Sequence, residues 1–320
     1  MNQSGAPTPN LLTSDPEEIA RLWYVAPKPQ FRGEGWLVFT EEYVLAALQG
    51  RRFGSDAVSQ TTGWRIVGAL GVTAMAIAQL VLMLLAKIPV VSWCFDTVAQ
   101  NFGRNYCGFF LRSCYWKAKL KKLGQCTLFD QGVSIWGPDR IEIGHDCFLG
   151  TDVRLSAGKN ESEGSISIGD YTCLSNGSSI TGSGQVTVGD FVAIMASTHV
   201  YSSTSALVDL NRPGQLMSLA HSAPRDRHTQ VTGPVVIGDY AVIGANSVVL
   251  PNVQIGRGAV IHPFTEIARS FPAFANVTGP GRGKQNGWRR PSRLDPRLEL
   301  ETQPEEVTLD KHEGAEQYVG

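Results

Sequence analysis

Aliphatic residues recur in this chain at a step of six. From Ile237 the series runs through Ile243, Val249, Ile255, Ile261 and Ile267 without a break. Earlier series are Leu123, Phe129, Ile135 and Ile141; then Ile143, Leu149 and Leu155; then Ile168, Leu174, Ile180 and Val186; then Val188, Ile194 and Val200. A period of six fits neither a 3.6-residue helix nor the two-residue alternation of a half-buried strand. It fits a coil with three flat faces, in which each unit supplies one short strand and one corner and points its aliphatic residue at the axis. Three units, about 18 residues, close one turn, and stacked turns pair their strands in parallel around a continuous apolar column. The expected fold class is an all-β solenoid, a parallel β-helix.

The series are offset by two residues at Ile141/Ile143, Ile166/Ile168, Val186/Val188 and Val235/Ile237. Three offsets run straight into Gly-Asp (Gly169-Asp170, Gly189-Asp190, Gly238-Asp239) and the fourth into Gly144-His145. The glycines are expected to supply positive φ at corners, and the aspartates to bond to amides of their own turn. His145, at a corner, is expected to be structural. Two segments leave the coil. Residues 158–163 form a short polar excursion, and residues 201–233 a long one without the repeat. A loop of that length inside a regular solenoid is usually functional.

The chain divides into residues 1–62 (a tail and short helices), 63–122 (a hydrophobic helical region), 123–284 (the coil) and a polar tail, 285–320. Residues 1–13 read as a mobile tail. Ser14-Asp15-Pro16-Glu17-Glu18 reads as a helix start running to about residue 24, and a second helix is expected over 40–48. Residues 66–86 carry no charge and lie between Arg65 and Lys87. At 1.5 Å per residue they reach about 30 Å, the thickness of a bilayer core. Their Ile, Val and Leu residues favour insertion by about 3–6 kcal/mol. They are expected either to associate with a membrane or to pack within an oligomer, with Ala74 and Ala78 at small-residue spacing. Pro89 and the apolar run behind it suggest a break and a shallower second insertion. Residues 105–123, aromatic and basic through Arg112, Lys117, Lys119, Tyr115 and Trp116, read as an interfacial segment or as a helix with a solvated basic face.

Hydrophobic residues make up 42% of the chain, which argues against wholesale disorder, and the net charge of −1 gives no general attraction to nucleic acid. The six cysteines form no C-x-x-C pair and no signal peptide is recognised, so reduced thiols are expected rather than a disulfide framework or a metal site.

Residues 237–260 (IGDYAVIGANSVVLPNVQIGRGAV) resemble the hexapeptide-repeat acyltransferases, of the maltose and galactoside O-acetyltransferase type, and the likeness extends over residues 123–284. The resemblance implies a left-handed parallel β-helix acting as a homotrimer on acetyl-CoA. It implies that His199, in Ala196-Ser197-Thr198-His199 just before the chain leaves the coil, is the general base. A family asparagine falls at Ser175, with Asn176 beside it, so these two are the implied acceptor contacts. The family's terminal V-A-G-N-P-A-K and preceding T-K-D correspond to Val277-Thr278-Gly279-Pro280-Gly281-Arg282 and Ala268-Arg269-Ser270. Gly279 is retained, Asn has become Pro280, and Arg269 stands for a lysine.

A flat groove for CoA is expected along Gly244, Ala245, Asn246 and Ser247, with Arg269, Arg282 and Lys284 toward the phosphates. His262 is expected near that groove. His221, on the long excursion, is expected to meet the acceptor or a neighbouring subunit. An alcohol is a weak nucleophile at neutral pH, and a neutral imidazole can take its proton. The expected activity is therefore acetyl transfer to a sugar hydroxyl. The apolar segment suggests a lipid-linked saccharide or a polysaccharide precursor, and cytosolic acetyl-CoA puts the coil on the cytoplasmic side. N-acetylation of an amino sugar and a non-enzymatic scaffold stay open as alternatives.

Overall fold

The computed structural model describes residues 15, 19, 22, 23, 28, 35–49, 61–158, 164–206, 215–220 and 224–289. The expected tail at 1–13, most of the first helix, most of the excursion at 158–163 and the chain beyond Arg289 lie outside them.

The coil begins at Lys122–Leu123 and builds three sheets of six, eight and seven strands. Pairing within them is parallel, except that Lys284–Trp288 returns antiparallel to Ala275–Thr278. The six-residue columns are the interior: Leu149, Leu174, Ile194, Ile243 and Ile261 line one face with at most 1% exposure. The pairing Leu123↔Ile143 and Ile168↔Val188 shows coils of 20 residues, and Ile237↔Ile255 one of 18. The two-residue offsets explain the longer turns. In Ile141–Ile143, Ile166–Ile168 and Val186–Val188 both outer residues are buried and the middle one faces out.

The corners differ from the expectation. Gly144, Gly169, Gly189 and Gly238 do not carry positive φ; the left-handed residues two positions later do: Asp146, Tyr171, Phe191 and Tyr240, at φ 50–58°. A non-glycine residue there costs roughly 1–2 kcal/mol. Stacking of the rings offsets part of it, with Tyr171–Phe191 and Phe191–Tyr240 centroids 4.8 and 4.7 Å apart. The glycines serve close approach instead. A Cβ at Gly189 would lie 2.3 Å from Asp239 Oδ1 and 2.7 Å from its backbone nitrogen. Nor do the aspartates bond within their own turn. Asp170 Oδ1 accepts from the His145 N–H (2.7 Å), Asp190 Oδ1 from the Asp170 N–H (2.7 Å), and Asp239 Oδ1 from the Asp190 N–H (2.9 Å). Each carboxylate thus ties its coil to the one before.

That ladder stacks like charges, and Lys28 bridges two of them, Asp170 and Asp190. Burial works against its charge, but the hydrogen bonds to both carboxylates prevail and raise its pKa to about 12. Trp23 and Val38 also touch the coil. Trp23 stacks on Phe274 and donates to the Arg289 carbonyl (3.2 Å), while the Cys126 N–H donates to the Val38 carbonyl (2.7 Å) near the first coil. His145 is structural, as expected: its Nδ1 accepts from the Gln125 N–H (3.0 Å). Burial, chiefly, holds its pKa below the usual histidine value. Buried Cys147 is raised to about 12 and stays a thiol.

Among the described residues four helices precede the coil: α1 (Glu41–Leu48), α2 (Thr62–Lys87), α3 (Pro89–Asn101) and α4 (Tyr106–Lys119). Helix α1 starts where Thr40 caps the Tyr43 N–H (3.3 Å), and Pro89 occupies the first turn of α3, where it needs no intrahelical donor. The reading of residues 105–123 as interfacial or solvated is corrected. Helix α4 closes the open end of the coil. Arg112, 1% exposed, donates through Nε to the Phe129 carbonyl (2.6 Å) and through Nη1 to those of Ala99 and Phe102 (3.1 and 2.8 Å). Ser113 Oγ donates to the Thr127 carbonyl (2.9 Å), and the rings of Tyr115 and Trp116 join the apolar column. The Phe129 and Thr127 carbonyls belong to a first coil with no earlier coil to bond to; α4 supplies the donors.

Two expectations follow. Gly189→Ala should lower stability by about 1–3 kcal/mol through overpacking, read as a melting shift, whereas Gly63→Ala, whose Cβ meets nothing within 4 Å, should be close to neutral. A depressed histidine contributes stability that is present above its unfolded pKa, about 6.5, and lost as pH falls through the lower folded value. Denaturant midpoints should therefore drop between pH 7 and pH 5, and less so in His145→Asn.

Candidate active site

His199 opens the strand His199–Tyr201, the last regular strand before the long excursion. Val200 takes the inward place, so the flanking His199 and Tyr201 face out, half-buried. The excursion closes at its base, where Ser203–Ser205 pairs antiparallel with Gln230–Thr232. The expectation that His199 sits at the coil exit is met.

The imidazole Nδ1 lies 2.7 Å from Ser179 Oγ, one coil earlier in register. When Nδ1–H donates to that hydroxyl, the lone pair of Nε2 is left for a substrate proton. Ser175 and Asn176 lie at the preceding corner, and Asn176 Oδ1 accepts from the Thr151 N–H (3.0 Å), a corner tie like those of the aspartates. A signal for Ser179 was present: Ile180 and Val200 both fill inward places of the third face, so the residues before them must stack.

Continuing the register gives an outward column on this sheet: Arg154, Ser179, His199, Val248, Glu266 and Arg282. Arg154 and Arg282 are exposed. At about 4.8 Å per strand, Arg282 stands roughly 14 Å from His199 along the coil axis and Arg154 roughly 10 Å away in the other direction. The structure brings Arg269, Arg282 and Lys284 together around a cleft of about 280 Å³, with Glu266 beside them. Arg269 lies over the Phe271 ring, 5.3 Å from its centroid.

The expected groove residues divide. Ala245 and Asn246 reach the surface at the corner one coil after His199. Gly244 and Ser247 are buried: the Gly244 carbonyl accepts from Thr198 Oγ1 (2.9 Å), and Ser247 Oγ accepts from the Thr265 N–H (3.1 Å) and donates to the His262 carbonyl (3.2 Å). His262 Nε2 pairs with Asn276 Oδ1 at 2.8 Å, one coil further on. His221 lies outside the described residues.

The family model described as bacterial transferase hexapeptide (six repeats) matches residues 234–269. Over 164 residues the chain is 32% identical to the dTDP-4-amino-4,6-dideoxy-D-glucose acyltransferase of Escherichia coli, covering 51% of this chain and 80% of that one. The chain belongs to the hexapeptide-repeat acyltransferases. Its coil is accordingly the left-handed β-helix of that family, and the protein is an enzyme. Among solved structures, a variant of AntD, an N-acyltransferase from Bacillus cereus, in complex with dTDP-4-amino-4,6-dideoxyglucose and coenzyme A, is 24% identical. It covers 58% of this chain and 90% of that one, at a TM-score of 0.48.

Ser179 should set the tautomer of the His199 ring. Nitrogen-15 NMR of the acyltransferase should find the proton on Nδ1, and Ser179→Ala should redistribute it; an unchanged ring spectrum would remove Ser179 from the site.

Proposed function

We propose that this acyltransferase moves an acyl group from acyl-CoA to the amino group of a nucleotide-linked amino sugar, with His199 as general base. The observation that carries this reading is the outward column, which sets an oriented imidazole between two separated guanidinium groups. The donor runs from His199 toward the cleft of Arg269, Arg282 and Lys284. Roughly 14 Å is a distance the pantetheine arm spans between thioester and phosphates, three strand spacings of about 4.8 Å. Ala245 and Asn246 flank that path. The acceptor lies on the other side of His199, with its diphosphate toward Arg154. The name of the Escherichia coli relative supports an amine on a nucleotide-linked sugar over the hydroxyl that the sequence resemblance implied. A homotrimer, in which a neighbouring coil walls the cleft, completes the proposal.

The chemistry needs no covalent enzyme intermediate. The sugar nitrogen attacks the thioester carbonyl as Nε2 of His199 takes its proton, the new C–N bond forms, the C–S bond breaks, and the proton passes from His199 to the departing thiolate. A base so placed contributes about 10²–10⁴ in rate.

Thiol release from acetyl-CoA and longer acyl-CoAs should be measured with dTDP-4-amino-4,6-dideoxyglucose and with its 4-hydroxy counterpart. Turnover of the amine is expected; turnover of the hydroxy sugar alone would replace N-acylation by O-acylation. His199→Ala should cut kcat by about 10²–10⁴ with the assembly intact. Arg282→Ala should raise the KM for acyl-CoA and Arg154→Ala the KM for the acceptor, each with little change in kcat.

A further inference from the structure

Helix α2 is long and apolar enough to cross a membrane, yet it has two unlike sides. One side is committed to protein. Gln79, 1% exposed, donates to the Trp36 carbonyl (2.9 Å) and accepts from the Val38 N–H (2.8 Å), so its amide satisfies backbone groups of the segment before α1. A Cβ at Gly68 would meet Leu45 of α1 at 2.9 Å, so the two helices touch closely. Met75 and Leu82 pack on the cluster of Val38, Phe39, Tyr43 and Cys114, which joins α2 to α4 and hence to the end of the coil.

The other side is bare. Ile66, Leu70, Ile77, Val81 and Leu84 are between 49% and 68% exposed, and no charged residue interrupts 66–86. On α3, Val90 and Trp93 are 76% and 74% exposed. An apolar surface of this extent on a soluble domain marks a contact with lipid or protein.

Charge selects the occupant. Of the charged residues on α2 and α3, Arg65 and Lys87 are exposed and the acid, Asp96, is half-buried. Arg65 and Lys87 bracket the apolar face. A second copy meeting it face to face would bring the Arg65 and Lys87 side chains of both copies together, whereas an anionic bilayer neutralises them. The exposed Trp93 suits the boundary between headgroup and acyl chain.

We propose that α2 and α3 form a docking base that lies in one leaflet of an anionic membrane, with the coil standing on it through α4. The base does not cross the bilayer. A spanning α2 would draw α1, with the exposed Glu41 and Glu42, and the capped end of the coil into hydrocarbon, where unpaired carboxylates are costly. The chain thus approaches the membrane as an amphipathic surface layer, not as a bundle of spanning helices.

The test uses the full chain and vesicles of phosphatidylcholine alone or with one quarter phosphatidylglycerol. The wild type should float with the anionic vesicles and far less with the neutral ones. The variant L70E/I77E/L84E, altered at three exposed positions, should lose flotation at least tenfold while keeping its melting temperature and oligomer size. Equal flotation of variant and wild type would overturn the proposal. So would a wild type that does not float and forms a larger oligomer than the variant, since the face would then be a contact between copies. Thr62→Cys and Ile88→Cys, probed with an impermeant maleimide and mapped by peptide mass, should both react from outside the vesicles; protection of either would show a spanning helix.

Discussion

Coils stacked at the spacing of a hydrogen-bonded ladder must bring their corners as close together as their strands. Everything else in this molecule depends on that approach. The aliphatic column drives the stacking, but it can close only where the corner residue has no Cβ. Gly144, Gly169, Gly189 and Gly238 stand at those points, each within van der Waals overlap of the next coil for any larger residue. The space they leave is used by Asp170, Asp190 and Asp239, which reach back to an N–H of the coil before. A like-charged ladder results, tolerable because each carboxylate is hydrogen-bonded and because Lys28 sits across two of them.

A solenoid of this kind has two ends, and each exposes a ring of unpaired backbone groups and an open apolar core. The first end is closed by α4, whose buried Arg112 and Ser113 donate to carbonyls of the first coil and of the helical layer. The last is closed by the returning strand Lys284–Trp288 and by Arg289, which donates to the Tyr240 carbonyl (3.1 Å) and lies over the Trp23 ring. The N-terminal region therefore belongs to the stability of the coil, and its bare helical face is what remains once that capping is complete.

The same stacking places the site. An outward residue in one coil must neighbour the outward residue at the equivalent place in the next, so catalysis and binding can be laid out along a straight column at fixed intervals. Ser179 orients His199 by adjacency in that column, and the excursion after Tyr201 begins beside the imidazole without disturbing the ladder on either side. Fixing the His199 ring on a strand rather than on the loop keeps its position independent of the excursion.

The period of six alone determined the three-sided coil, the identity of its core and the place where it is interrupted, because inward residues must repeat once per face. It also placed His199, through the coil exit and a resemblance of motif. What the tertiary structure decided are the contacts between coils and across the chain. The corner glycines serve approach rather than φ, Asn176, Gly244 and Ser247 are taken up by the corners, and Ser179 meets the imidazole. Arg112 is a buried strut and not a surface charge, because α4 lies on carbonyls that only the folded coil presents. A linear pattern reports which residues avoid water; which donor meets which acceptor depends on distances between segments, and those exist only after the coils have stacked.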